Sequence, residues 1–149
     1  MAFLSSLDIS GSALTAQRLR MDVISQNIAN AGTTRTANGE PYRRRVAVFA
    51  ERADNTSFAA YLSEAKNGRS ASHGRGVVVS SIATDMSDFK MEYDPSHPDA
   101  DANGYVKYSN VNEVAEMVDM MAATRAYEAN ITALNATKNM ALKALEIGR

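Results

Sequence analysis

Between Asn110 and Glu146 the chain runs for 37 residues without a proline or a glycine. At about 1.5 Å per residue a helix over this stretch would be on the order of 55 Å long, several times the ordinary globular helix of about 11 to 12 residues. Met117, Met120, Thr124, Tyr127, Ile131, Leu134, Lys138, Ala141 and Leu145 alternate spacings of three and four, the seam that a partner helix covers in a coiled coil. Val111, Val114, Val118 and Met121 add a second apolar stripe, and Met140 and Leu142 point to different sides. One partner helix leaves part of this surface in water, and a helix apolar on several faces is buried on several faces. With 149 residues in all, too little protein remains to supply that cover, so the expectation is burial by other chains.

The N-terminal segment has the same rhythm. Phe3, Leu7, Ser10, Leu14, Gln17, Met21, Ile24, Ile28 and Ala31 repeat the three-four alternation, with Asp8, Arg18, Arg20 and Asp22 off the seam. Ser10, Gly11 and Ser12 predict fraying or a break in its first third, since glycine costs about 1 kcal/mol against alanine in a helix interior. Gly32 is the expected C-cap. Asn27, Asn30 and Thr33 have side chains suited to bonding backbone at the helix exit.

From Thr33 to Pro41 the composition becomes that of irregular chain. Tyr42 to Phe49 then alternates with period two, Val77 to Ile82 is a second strand, and Phe89, Met91 and Tyr93 form a third, with Tyr105 to Tyr108 as hairpin partner across Asp94 to Gly104. Glu51 to Gly76 predicts a surface loop with a short helix at Phe58 to Ala65. The fold class expected is mainly α: long N- and C-terminal helices pairing as a coiled-coil-like hairpin around a small β-rich module. The domains expected are a helix over 1–32, a strand and loop module over 33–109 and a helix over 110–149, the two helices forming one core domain. The unsatisfied seams predict arms that are poorly ordered in the monomer and fold on assembly.

Charge is segregated in the central module. Arg35 to Arg52 holds five basic and two acidic residues, whereas Asp85 to Asp101 holds six acidic and one basic. Either these are two solvated faces or they meet as an ionic contact between neighbouring subunits. The net charge of −1 argues against a general nucleic-acid binder. The absence of cysteine excludes disulfides and thiolate chemistry. No window is long and apolar enough for a transmembrane helix, and Met1 to Leu7 is too short for a signal-peptide apolar region, so export without a cleavable signal is expected.

Residues 99–106 match the first half of a calcium-binding loop, with oxygen-bearing Asp99, Asp101 and Asn103 at positions one, three and five and Gly104 at six. The second half fails: Asn110 stands where a bidentate glutamate closes such a site, and Pro95 and Pro98 preclude the entering helix. The stretch therefore reads as a turn between two strands, with Asp99, Asp101 and Asn103 as the candidate ligands that remain. His73 and His97 lack metal-ligand spacing, no Gly-x-Ser-x-Gly occurs, and Gly74-Arg75-Gly76 lacks the rest of a phosphate loop. Nothing argues for an enzyme or a cofactor. The alternative to a self-assembling subunit is a soluble helical-hairpin binding module whose acidic loop takes calcium or a basic partner.

Ser25-Gln26-Asn27-Ile28-Ala29-Asn30-Ala31 resembles the N-terminal signature of the bacterial flagellar axial proteins, the rod and hook family. Asn110 to Met120, with Thr124-Arg125-Ala126-Tyr127-Glu128-Ala129-Asn130, resembles their C-terminal signature. Thr33 to Thr36 with Pro41 to Arg45, and Tyr93 to Val106, are similar to the proximal-rod subunits of the flagellar basal body. The resemblance implies a non-catalytic structural subunit of the periplasm-spanning rod, the axial drive shaft for motility. It implies passage through the flagellar type III export apparatus, and as partners the other rod subunits and the adaptor protein at the rod base. The residues expected to carry assembly are Leu7, Leu14, Met21, Ile24 and Ile28 on the first helix and Met117, Met120, Tyr127, Ile131, Leu134 and Leu145 on the second.

Overall fold

The computed structural model describes residues 2–52, 62 and 76–147. Most of the loop and short helix expected between Glu51 and Gly76 lies outside the described residues. Helix α1 spans Ala2–Ala29, strands β1 and β2 span Arg45–Glu51 and Val77–Thr84, β3 and β4 span Lys90–Tyr93 and Tyr105–Tyr108, and helix α2 spans Glu113–Ile147. β1 pairs antiparallel with β2, and β3 with β4, as separate two-stranded sheets. No helix among the described residues is long and apolar enough to cross a membrane.

The β3–β4 hairpin follows the sequence alternation closely, with Tyr93 opposite Tyr105 and Lys90 opposite Tyr108. The connection holds because Asp101 Oδ1 accepts the backbone N–H groups of Asn103 and Tyr105, while Gly104 takes a φ of +80° that a side chain resists. Tyr93 and Tyr105 pack edge to face at 5.3 Å across the pair.

α1 continues unbroken through Gly11, contrary to the expected break. A contact beyond the helix offsets the glycine, Ser12 Oγ accepting the Val77 N–H at the start of β2, and within the helix the Thr15 hydroxyl donates to the Gly11 carbonyl. A Cβ on Gly76 would lie 2.0 Å from Ser12 Oγ, so only glycine lets β2 approach the helix this closely. The helix exit also departs from expectation. Gly32 is not left-handed; the last turn closes instead through the Ala31 N–H to Ile28 and the Asn30 N–H to Gln26 and Asn27, with the Asn30 amide bonding back to Gln26.

α2 begins at Glu113, three residues later than the sequence pattern suggests. Asn112 supplies the cap, its Oδ1 accepting the Ala115 N–H at 3.4 Å. Asn110 is held outside the helix by other bonds: its Oδ1 accepts the Arg44 N–H at 2.7 Å and its amide donates to the Ser87 hydroxyl at 2.9 Å. Among the described residues the buried apolar ones are few: Ala16, Val23, Ile24, Tyr42, Val106, Val111 and Ala123. Val23, Ile24, Tyr42 and Val111 lie in the last turns of α1, at the entry to β1 and just before α2.

Candidate functional site

The same place holds a buried polar knot. Asn27 is 1% exposed and all its hydrogen-bonding capacity is used. Its amide donates to the Arg45 carbonyl at 2.8 Å and to Glu116 Oε2 at 2.9 Å, while its Oδ1 accepts the Arg45 N–H and the Tyr42 hydroxyl. Glu116, also 1% exposed, receives Arg44 Nε on its second oxygen at 2.6 Å. Arg44 and Arg20 both reach Asp119, at 3.4 and 3.2 Å. Burial raises the pKa of the Tyr42 phenol, a rise that Glu116 reinforces and Arg45 opposes. One amide and one carboxylate thus fix α1, α2 and the entry to β1 against one another.

The knot decides which way α2 faces. Glu116 and Asp119 point inward to Asn27, Arg44 and Arg20. At about 100° per residue, Val114, Met117, Val118 and Met121 fall on the far side of the same two turns. These four are 54 to 72% exposed. Here the helix is polar inside and apolar outside, the reverse of a surface helix in a self-sufficient domain. Ion pairs and hydrogen bonds hold the inner face, so the outer face is left to meet something apolar.

Of the residues expected to carry assembly, Ile24 is buried, and Leu7, Leu14, Met21, Ile28, Met120, Tyr127 and Leu134 are half-buried. Met21 and Thr124 touch across the two helices. Met117, assigned by its spacing to the seam facing a partner helix, instead lies on the outer stripe, because inward-facing Glu116 and Asp119 set the rotation of the helix. Ile131 and Leu145 are exposed. Val111, read as part of the second stripe, precedes the helix and is buried.

Two of the three candidate ligands, Asp99 and Asp101, are engaged by groups of the chain itself. Asp101 is occupied by the turn described above, and Asp99 accepts the Thr34 hydroxyl at 2.8 Å with Arg35 4.0 Å away. No group of three or more His, Cys, Asp or Glu residues placed to hold a metal ion occurs among the described residues. The segregated charges meet within one chain: Arg44 lies 3.9 Å from Asp85, Arg35 faces Asp99, and Arg43 donates to the Ser87 carbonyl while stacking on Phe89. Asn27 was legible as a helix-exit residue, and Asn27 and Glu116 each stood within a stretch that resembles a family signature, but neither was singled out as a buried anchor. Their signal lay in phase: Asn27 stands three residues after Ile24, and Glu116 seven before Ala123, both on inward faces.

Comparison with known proteins bears on both ends of the chain. The family model described as flagella basal body rod protein matches residues 7–35, which contain Asn27. The one described as flagellar basal body rod FlgEFG protein C-terminal matches residues 102–147, which contain Glu116 and the outer stripe. The flagellar basal-body rod protein FlgC of Bacillus subtilis is 53% identical over 148 residues, covering 97% of each chain. That of Borreliella burgdorferi is 49% identical, covering 99% of this chain and 98% of the relative, and that of Salmonella typhimurium is 42% identical over the full length of both. Identity at this level across the whole length means that the chain belongs to the FlgC family of flagellar basal-body rod proteins, structural subunits of the flagellum.

Proposed function

We propose that this protein is built into the proximal rod through its terminal helices, and that it contributes surfaces rather than chemistry. α1 and α2 pair as a coiled-coil-like hairpin that forms one core domain with residues 33–109 as a module between its arms. In the assembled rod the two arms form the inner helical layer and the charged module makes the outer contacts. Its partners are the other rod subunits and the adaptor at the rod base, reached after passage through the flagellar type III export apparatus. The observation that carries this reading is the outward apolar face of α2 at Val114, Met117, Val118 and Met121, held outward by ionic contacts on the opposite side. A surface of that kind on one helix marks a protein–protein contact.

A strain lacking its own copy is complemented with Met117→Asp or Ile131→Asp, both positions exposed so that the substituted chain still folds. The expected outcome is loss of motility, absence of the protein from isolated basal bodies, and helix content unchanged in the purified chain. Incorporation and swimming at the native level with Met117→Asp would overturn the proposal.

A further inference from the structure

Asparagine is followed by glycine at three places in the chain, Asn38, Asn67 and Asn103. The middle one lies outside the described residues. Such a pair is chemically special: the glycine nitrogen, with no Cβ beside it to hinder approach, can attack the side-chain amide of the asparagine before it. The two described pairs start alike. Each follows an alanine, Ala37 or Ala102, and Asn38 and Asn103 are both exposed. Gly39 and Gly104 take φ values of +82° and +80°. Each glycine N–H donates back three residues, to the Thr36 carbonyl at 2.9 Å and to the Asp101 carbonyl at 3.0 Å. Local sequence and turn geometry therefore do not rank them.

The surroundings of the two turns do. At Asn103 the reacting peptide is held on both flanks, since Asp101 Oδ1 accepts the Asn103 N–H at 2.8 Å and the Tyr105 N–H at 3.1 Å. The Gly104 carbonyl also accepts the Asp94 N–H at 3.0 Å from across the hairpin. The space beside Gly104 is filled: a Cβ there would meet the Tyr93 ring at 2.9 Å and Pro95 at 3.4 Å. A carboxylate this close also opposes the negative charge that builds up as the ring closes. Asn38 has none of these restraints. Its side chain makes no hydrogen bond among the described residues, and a Cβ on Gly39 would meet nothing within 4 Å. Arg43 and Arg45 line the same groove as Asn38, where their charge favours the developing anion.

We propose that Asn38 is a site of spontaneous modification through a cyclic imide, and that the fold protects Asn103 from the same reaction. The Gly39 nitrogen gives its proton to solvent base and bonds to Asn38 Cγ. The bond from Cγ to Nδ2 breaks, and that nitrogen takes up a proton and leaves as ammonia. Water then opens the ring at one of its two carbonyls. Breaking the new bond to Cγ gives aspartate; breaking the original peptide bond gives isoaspartate, with the chain continuing through Cγ. Neither step needs an oxidant or a cofactor. Both products add a carboxylate to the groove that Arg43 and Arg45 line, at the basic end of the central module. Isoaspartate also lengthens the backbone of a turn that the Thr36 N–H and hydroxyl close on the Glu40 carbonyl. The proposal stands apart from how the chain assembles.

The test follows both sites in one sample. Purified full-length chain is held at mildly alkaline pH, folded or unfolded in guanidinium chloride, and mapped over time by mass spectrometry after tryptic cleavage. Cleavage separates the pairs, placing Asn38 in residues 36–43, Asn67 in 67–69 and Asn103 in 91–107. Enzymatic methylation of isoaspartate identifies the rearranged product. In denaturant the two Ala-Asn-Gly sites are expected to react at similar rates. In the folded chain Asn38 should react about tenfold faster than Asn103, because several further hydrogen bonds must break before the second ring can close. Asp101→Ala should bring Asn103 to within a few-fold of Asn38 while leaving the rate at Asn38 unchanged. Asn38→Gln, at an exposed position, should abolish the signal in residues 36–43 alone. Equal rates at the two sites in the folded chain overturn the proposal, as does faster reaction at Asn103. So does an Asn38 that reacts in denaturant but stays intact in the folded chain, or an Asn103 rate that Asp101→Ala does not raise.

Discussion

Replacing Asn27 by alanine tests whether the knot, rather than the apolar seam, holds the two helices in register. The substitution removes four hydrogen bonds and leaves the Tyr42 hydroxyl, both backbone groups of Arg45 and one oxygen of Glu116 without that partner. At about 0.5 to 1.5 kcal/mol net for each bond, with more for groups that stay buried and unpaired, the loss comes to roughly 3 to 4 kcal/mol. Arg20→Ala is the internal control. Its pair with Asp119 has both side chains about a third exposed, so its loss should cost no more than about 1 kcal/mol. Urea unfolding of the purified protein, followed by far-ultraviolet circular dichroism, separates the two. With a slope of about 1 to 3 kcal/mol per molar, Asn27→Ala should lower the midpoint by about 2 M and Arg20→Ala by well under 1 M. The double variant Asn27→Ala with Glu116→Ala should cost at least 1 kcal/mol less than the two single losses together, since both remove the same bond. If Asn27→Ala is no more destabilising than Arg20→Ala, the buried amide does not set the helix register and the account of why Met117 faces outward is wrong.

Alkaline titration should single out Tyr42. Its phenol titrates above the ordinary value of about 10 because burial disfavours the phenolate. The stability it contributes is thus complete below pH 10 and falls as the pH rises through the folded value, and Tyr42→Phe should remove a step above pH 10 from the tyrosine absorbance titration. At the hairpin, Gly104→Ala should cost about 1 to 2 kcal/mol through the left-handed backbone alone. The added Cβ would also come within 2.9 Å of the Tyr93 ring, so the cross-strand nuclear Overhauser contacts between Tyr93 and Tyr105 should weaken; unchanged contacts would refute the turn argument.

What the sequence made legible was set by local chemistry. The β3–β4 hairpin could be placed from alternation and from an Asp, Asn and Gly turn, because its register depends on residues within its own twenty positions. The existence of two long helices was equally plain, since nothing between Asn110 and Glu146 breaks one. Three misreadings arose where a distant partner outweighs a local preference. Gly11 should interrupt α1, but Val77 arrives from the far side of the central module to bond Ser12. Asn110 looked like the first residue of α2, but Arg44 and Ser87 hold it outside. Met117 fitted a three-four seam as well as Met120 does, and periodicity cannot rank two apolar faces of one helix against each other. Buried charge breaks that tie. An unpaired carboxylate at Glu116 would be far more costly to bury than a methionine is to expose, so once Asn27 and Arg44 meet that carboxylate the helix takes the rotation that satisfies it. The apolar residues then face outward, and the chain carries on its surface the part of its hydrophobic pattern that it cannot satisfy alone. A sequence whose local and tertiary preferences disagree in this way is one selected with its neighbours present. The disagreement is concentrated in the two turns of α2 that the knot controls.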